Sequence, residues 1–331
     1  MLLLTLSCLS RRPPTPAAAE GPRIGVVSGP WLQGEGLALA ATGPRDLDGG
    51  WAGPAIVLAA WIQQDALWTS SSMSAGRGWT PPLRIDGPID TSEDGQARVE
   101  LGIASGRPLA VYSSAGVPML ASRSGEGWTS EPLSELARGD RLDLVVRDGE
   151  PIVVWLDSER GGVWMLRDGS EEQITEQPAL ACARPAVSAE GPLQVAFRGV
   201  EGEIWRFRLS EEGWIEDGLR PGRPVCDGPD FLGPHLLQAE DGEAYLGEQE
   251  FLAIEAGWEV DQPRSGGGVL AWREQRGDQD RIVLGGQSLL TREGALMPGD
   301  AIVVAGEVWL PFQSDEPVVA TFGQETLESP E

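Results

Sequence analysis

The chain has 331 residues, 41% of them hydrophobic, and a formal net charge of −26. That apolar content supports one large domain or two ordinary ones and argues against disorder. The charge opposes nucleic acid and anionic membrane surfaces, because both require clustered basic residues. All 25 basic residues are arginine, and the sequence contains neither lysine nor asparagine. Schiff-base catalysis, a phosphate-loop lysine and Asn-linked glycosylation are therefore excluded. His235 is the sole histidine. A His-rich zinc site is ruled out, and a Ser-His-Asp triad would have to run through that residue, which reads as a buried strand histidine.

In chain order, residues 1–22 form a leader: an apolar run over 1–7 ends at Cys8, and Arg11, Arg12 and a Pro/Ala-rich stretch follow. The arrangement is similar to a lipoprotein signal and tether, with Cys8 as the lipidation site. It departs from that pattern in lacking a basic residue before the run, in the run's shortness, and in Leu6 where a small residue is usual. A frayed terminus with an inert Cys8 is the other reading. No later segment approaches the ~20 apolar residues of a membrane span. Residues 23–331 read as one domain, opening with a short strand over 24–28.

From Trp31 onward the organising feature is a repeat. Trp79, Trp128, Trp214 and Trp258 each follow a glycine and close a polar turn, at spacings of 49, 86 and 44. Trp61, Tyr112, Trp155 and Phe197 each end an apolar run, at spacings of 51, 43 and 42. Two sets of markers thus share a period near 44. Between them, apolar and polar residues alternate over short stretches, punctuated by eight Asp-Gly pairs such as Asp148-Gly149. Asp-Gly is a tight-hairpin signal.

The clearest unit spans residues 141–175 and reads as three regular strands and a less regular fourth. Four antiparallel strands in ~44 residues describe a propeller blade. The fold predicted is all-β, a single β-propeller of about seven four-stranded blades, with six the alternative. Two separate β-sandwiches are the rival architecture. Blade five is shortened around residues 243–248, and the strand over 24–28 completes the last blade so that no sheet edge is left open.

Arg98, Arg141 and Arg184 lie 43 residues apart, each opening a first strand that lines the central channel. Three guanidinium groups at like positions could hold a carboxylate, sulfate or phosphate. The competing reading is an inter-blade ion-pair ring, since Glu100 and Asp143 follow two residues later on the same strand face. Cys182 and Cys226 are 44 residues apart, one period, and both precede a first strand. They are expected to form a disulfide in an oxidising compartment. The acidic pairs Asp46/Asp48 and Asp278/Asp280 lack calcium-loop spacing and read as solvated turns. No metal or cofactor site is expected. Arg276-Gly277-Asp278 reads as a chance tripeptide.

The stretch Ser72-Met73-Ser74-Ala75-Gly76-Arg77-Gly78-Trp79 resembles the Asp-box of the sialidase-like (BNR) propellers, with Ser74 in place of the aspartate; weaker copies end at Trp128 and Trp214. In that family the box is a structural hairpin between the third and fourth strands of a blade. The resemblance therefore implies fold rather than activity. The family's enzymes use a tyrosine nucleophile activated by a glutamate, an aspartate acid and three arginines on the substrate carboxylate. Here Tyr112 shares the repeat position of Trp61, Trp155 and Phe197, and Tyr245 falls in the corresponding strand of blade five. Both are committed to blade packing, and the motif around the family's first arginine is absent. The expected function is a non-catalytic propeller, exported or envelope-attached, binding a glycan, an anionic ligand or a protein. A degenerate glycan-acting hydrolase is the alternative function, and a cytoplasmic protein the alternative location.

Overall fold

The computed structural model describes residues 25–323, except 32–34, 42–55, 74–77, 90–98, 126, 140, 227, 233, 241–242, 247–248, 251–256, 267–268, 285–286, 294–296, 305–306 and 314–316. The leader, Cys8, Arg98, the Asp46/Asp48 pair and the middle of the box ending at Trp79 lie outside the described residues. Every element described is a β-strand.

After β1 (Gly25–Val27) the strands come in antiparallel groups, each pairing in chain order. Blade 1 is β2 (Glu35–Ala41), β3 (Val57–Gln63), β4 (Ala66–Ser72) and β5 (Leu83–Asp86). Blade 2 is β6 (Glu100–Ala104), β7 (Arg107–Ser114), β8 (Val117–Ser124) and β9 (Gly127–Pro132). Blade 3 is β10 (Leu142–Arg147), β11 (Glu150–Leu156), β12 (Val163–Arg167) and β13 (Ser170–Thr175), which reproduces the unit read from the sequence. Blade 4 is β14 (Ala186–Ser188), β15 (Gln194–Arg198), β16 (Ile204–Ser210) and β17 (Gly213–Arg220). Blade 5 is β18 (Asp230–Leu232), β19 (His235–Glu240), β20 (Glu243–Leu246) and β21 (Gln249–Glu250), the shortened sheet. Blade 6 is β22 (Glu259–Gly266), β23 (Val269–Arg276), β24 (Gln279–Leu284) and β25 (Gln287–Glu293). The seventh sheet has an inner edge broken into β26 (Met297–Pro298) and β27 (Ile302–Val304), followed by β28 (Glu307–Gln313) and β29 (Pro317–Gly323). Strand β1 pairs with β29, Val26 opposite Ala320, and closes the ring by giving the last blade an outer strand from the start of the chain.

The core lies between sheets. Seven apolar clusters each span one junction, including the junction of blade 7 with blade 1, where Trp309 and Val319 meet Trp61, Val57 and Ala59. A second strand therefore faces a neighbour on both sides, which explains its unbroken apolar run: Ile152 to Leu156 are buried without alternation. The aromatic at the end of that run is a wedge between blades. Trp61, Tyr112, Trp155 and Phe197 are all fully buried, and Trp272 and Trp309 occupy second strands of blades 6 and 7 in the same way.

The Asp-Gly signal holds at Asp148-Gly149 and Asp168-Gly169, where both residues of each pair have positive φ, as a tight hairpin requires. It does not hold at Asp217-Gly218, which lies inside β17 beside a register shift, or at Asp86-Gly87, where β5 ends. The tryptophan series also divides. Trp79, Trp128 and Trp214 lie between or at the start of third-to-fourth strand hairpins, whereas Trp258 directly precedes β22, a first strand. Its ring is covered by the guanidinium groups of Arg276 and Arg281, so packing rather than repeat position placed it there. Arg276, the first residue of the Arg-Gly-Asp tripeptide, is thus engaged on a ring.

Replacing Trp155 by alanine should lower stability by about 3–5 kcal/mol, the usual loss for a buried aromatic. Denaturant unfolding will measure it, with the exposed Leu136→Ala as a control expected to change stability by less than about 0.5 kcal/mol.

Candidate functional site

First strands of successive blades stand side by side around the axis. The chain enters each of them from a crossing connection on one face, so the residues at those entries meet at a single channel mouth. The β-hairpins between second and third strands lie on the same face.

At that mouth Arg184, on the crossing into β14 and only 3% exposed, is met by carboxylates from four other blades. Its Nη1 donates to Glu100 at 2.7 Å; Asp143, Asp230 and Asp300 stand at 3.7, 3.7 and 3.6 Å from its terminal nitrogens. Glu100 opens β6, Asp143 is the second residue of β10, and Asp230 opens β18. Asp300 sits in the break between β26 and β27, which turns it toward the axis. Two of the carboxylates also stitch neighbouring blades together. Asp143 accepts the Val187 amide at 2.7 Å, and Asp230 accepts the Ser265 amide at 2.9 Å.

Burial and crowding govern the protonation of this cluster. Burial, reinforced by Asp300, pushes Glu100 up to about 8 against the lowering effect of Arg184. Burial and Asp300 likewise push Asp230 up to about 7, opposed by Arg184 and Arg264. Asp143 is raised by burial despite Arg184. For Arg184 burial works toward deprotonation, but the four carboxylates outweigh it and hold the guanidinium firmly charged.

Of the arginine series, Arg184 lies in this cluster, Arg141 is buried at the head of β10, and Arg98 lies outside the described residues. Cys182 and Cys226 form a disulfide with Cα atoms 4.9 Å apart. It joins the crossings into β14 and β18 on the mouth face. The additional residues ahead of β18 fold back as needed: the backbone at Gly228 packs directly on Arg184, where a Cβ would collide with the Arg184 carbonyl oxygen. Arg198, fully buried, donates to the carbonyls of Gly202 and Arg223 and anchors the base of the same crossing.

Three placements differ from the sequence reading. His235 is exposed rather than buried: it opens β19 opposite Leu232, at the end of the β18–β19 hairpin. Tyr245 lies in β20, a third strand, opposite Gln238; the shortness of blade 5 displaced the alignment. Asp280 is no solvated turn residue but a buried partner of Arg273 at 2.7 Å. Sequence reasoning also missed Asp230, Asp300 and Arg264: Asp230 was legible, since it lies 87 residues or two repeats after Asp143, whereas Asp300 and Arg264 are off the period. A second missed signal was legible: Trp61, Trp155 and Trp272 each donate Nε1 to a side chain two residues on, Gln63, Asp157 and Glu274.

No protein-family model and no curated protein matches the chain. Among solved structures, one describing two prolyl endopeptidases aligns with 91% of this chain and 50% of that one, at 10% identity and a TM-score of 0.53. This chain spans half the length of that protein. The N-terminal domain of Nup159 aligns over 93% and 96%, at 10% identity and a TM-score of 0.49. BamB from Moraxella catarrhalis aligns over 88% and 85%, at 13% identity and a TM-score of 0.47. By fold the chain is a β-propeller. At such identities the likeness extends to the fold alone.

The raised carboxylates make stability fall with increasing pH. Glu100 and Asp230 bind protons in the folded state at pH values where the unfolded chain, at the ordinary 4.5 and 3.8, has released them. Their contribution is complete below those ordinary values and is lost as pH rises through about 7 to 8. The melting temperature should therefore decline between pH 5 and pH 9, and Glu100→Gln should flatten the decline; calorimetry across that range is the check.

Proposed function

We propose that this protein is a non-catalytic binding propeller, exported to the cell envelope or secreted, whose mouth-face loops engage a protein partner. The observation that carries this reading is the filled channel mouth. The position where a propeller would hold a small ligand on its axis is taken by Arg184 and its four carboxylates, which supports the ion-pair reading of the arginine series over the anion-binding one. Contact is left to the loops around it. Three of the exposed large apolar side chains lie there: Leu136 on the crossing into β10, Val200 on the β15–β16 hairpin, and Val225 beside the disulfide. Binding residues concentrate on loops carried by a scaffold, and the proposal takes these three as contact residues. The disulfide supports an oxidising compartment. Among the described residues no helix is long and apolar enough to cross a membrane. Attachment through Cys8 remains part of the proposal.

The sialidase-like resemblance enters as fold kinship through the hairpin ending at Trp79. Hydrolytic chemistry is disfavoured by the state of Tyr112. Its phenol is buried and donates to Asp86, and burial together with that hydrogen bond pushes its pKa further up, the opposite of what a nucleophile needs.

Sialoside conjugates should not be turned over, and Tyr112→Phe should leave that null rate unchanged; turnover that disappears in the variant would establish the hydrolase. In a pull-down from the envelope fraction of the source cells, a retained protein should be lost on combining Leu136→Asp, Val200→Asp and Val225→Asp. Retention unaffected by the triple change, or selective binding on a glycan array instead, would overturn the proposed surface.

A further inference from the structure

The disulfide ties together the two connections that deliver opposite charges to the channel mouth. Cys182 stands two residues before Arg184 and Cys226 four before Asp230. Cys226 is exposed and Cys182 half-buried, so a small thiol reaches the bond from solvent.

The cluster behind it does not balance itself. Glu100 from β6, Asp143 from β10, Asp230 from β18 and Asp300 from the break in blade 7 all face the one guanidinium of Arg184. Arg264 of β22 is a second cation acting on Asp230, and Arg141 is buried at the head of β10. Four carboxylates around one shared cation repel one another, and something has to hold them in place. The ladders are short where the disulfide sits: β14 and β18 have three residues each, no more than the broken inner edge of blade 7, against five in β6, six in β10 and eight in β22. Arg198 anchors the crossing at Arg223, and between there and Asp230 the covalent bond and the packing of Gly228 on the Arg184 backbone tie it to the crossing into β14.

We propose that the Cys182–Cys226 disulfide is a redox latch on the channel mouth, whose reduction by a dithiol releases the Asp230 side of the ion cluster without unfolding the propeller. The dithiol supplies two electrons and two protons; the S–S bond breaks, Cys182 and Cys226 become thiols, and the reductant closes into its own cyclic disulfide. Linkage makes the effect reciprocal. If the bond holds the carboxylates together, neutralising a carboxylate must make the bond harder to reduce.

The full chain is equilibrated with mixtures of reduced and oxidised dithiothreitol at pH 8, and the thiols of Cys182 and Cys226 are quantified by peptide mapping. Asp230→Asn and Glu100→Gln should each raise the reduced-to-oxidised ratio needed for half-reduction at least threefold. The reduced protein should keep its strand circular dichroism while its melting temperature varies with pH, between 5 and 9, by less than half as much as in the oxidised protein. The latch is overturned by an unchanged ratio in both variants, by parallel pH curves for the two redox forms, or by loss of the sheet signal on reduction. The two variants lie on different blades, so failure of one to fold leaves the other to decide.

Discussion

Each sheet of this protein is pressed between two others, and almost everything else in the fold follows from that. In a sandwich one face of a sheet meets solvent; here both faces of the inner and middle strands must be apolar, because each junction of the ring is a core of its own. Burial of apolar area supplies the stabilisation at every junction, and no single junction is complete without its neighbour. The large aromatics at the ends of the second strands fill the wedge that opens between twisted sheets as they diverge from the axis. Closure follows from the same need. A last blade lacking its outer strand would leave an edge unpaired, and β1 supplies that strand from the opposite end of the chain.

The axis presents a contrary problem. The inner strands crowd together at one mouth, and they and the crossings into them place Arg184 and four carboxylates there. Ions removed from water need partners with good geometry. Arg184 serves four carboxylates at once, and two of those carboxylates extend the network into the backbone of the next blade through Val187 and Ser265. The arrangement links non-adjacent blades, which apolar junctions between neighbours cannot do. It also leaves more negative than positive charge, so part of the cluster retains protons near neutrality. On the proposed function, a mouth occupied in this way directs recognition outward to the loops, where the chain's irregularity in length and composition is concentrated.

The same propeller architecture serves unrelated tasks, and fold likeness carries no information about a ligand. What distinguishes this chain is local: a filled mouth, a disulfide across blades 4 and 5, and a buried tyrosine held by Asp86.

Much of this was legible beforehand because a repeating fold writes the same physical demand many times. The period of 44 appeared in the aromatic wedges, and it carried Glu100 and Asp143 to first strands and Arg184 and both disulfide cysteines to the connections ahead of first strands. Local chemistry sufficed for the hairpins at Asp148 and Asp168. The period failed at Trp258 and Tyr245, since spacing cannot register a crossing of different length or a shortened strand. By itself the sequence determined the class of fold, the blade pattern and the pairing of Cys182 with Cys226, because each depends on residues one repeat apart. Only the tertiary structure decided that Asp300 joins Glu100, Asp143 and Asp230 on a single arginine, because convergence on an axis brings a residue from an irregular crossing to carboxylates that share one repeat position.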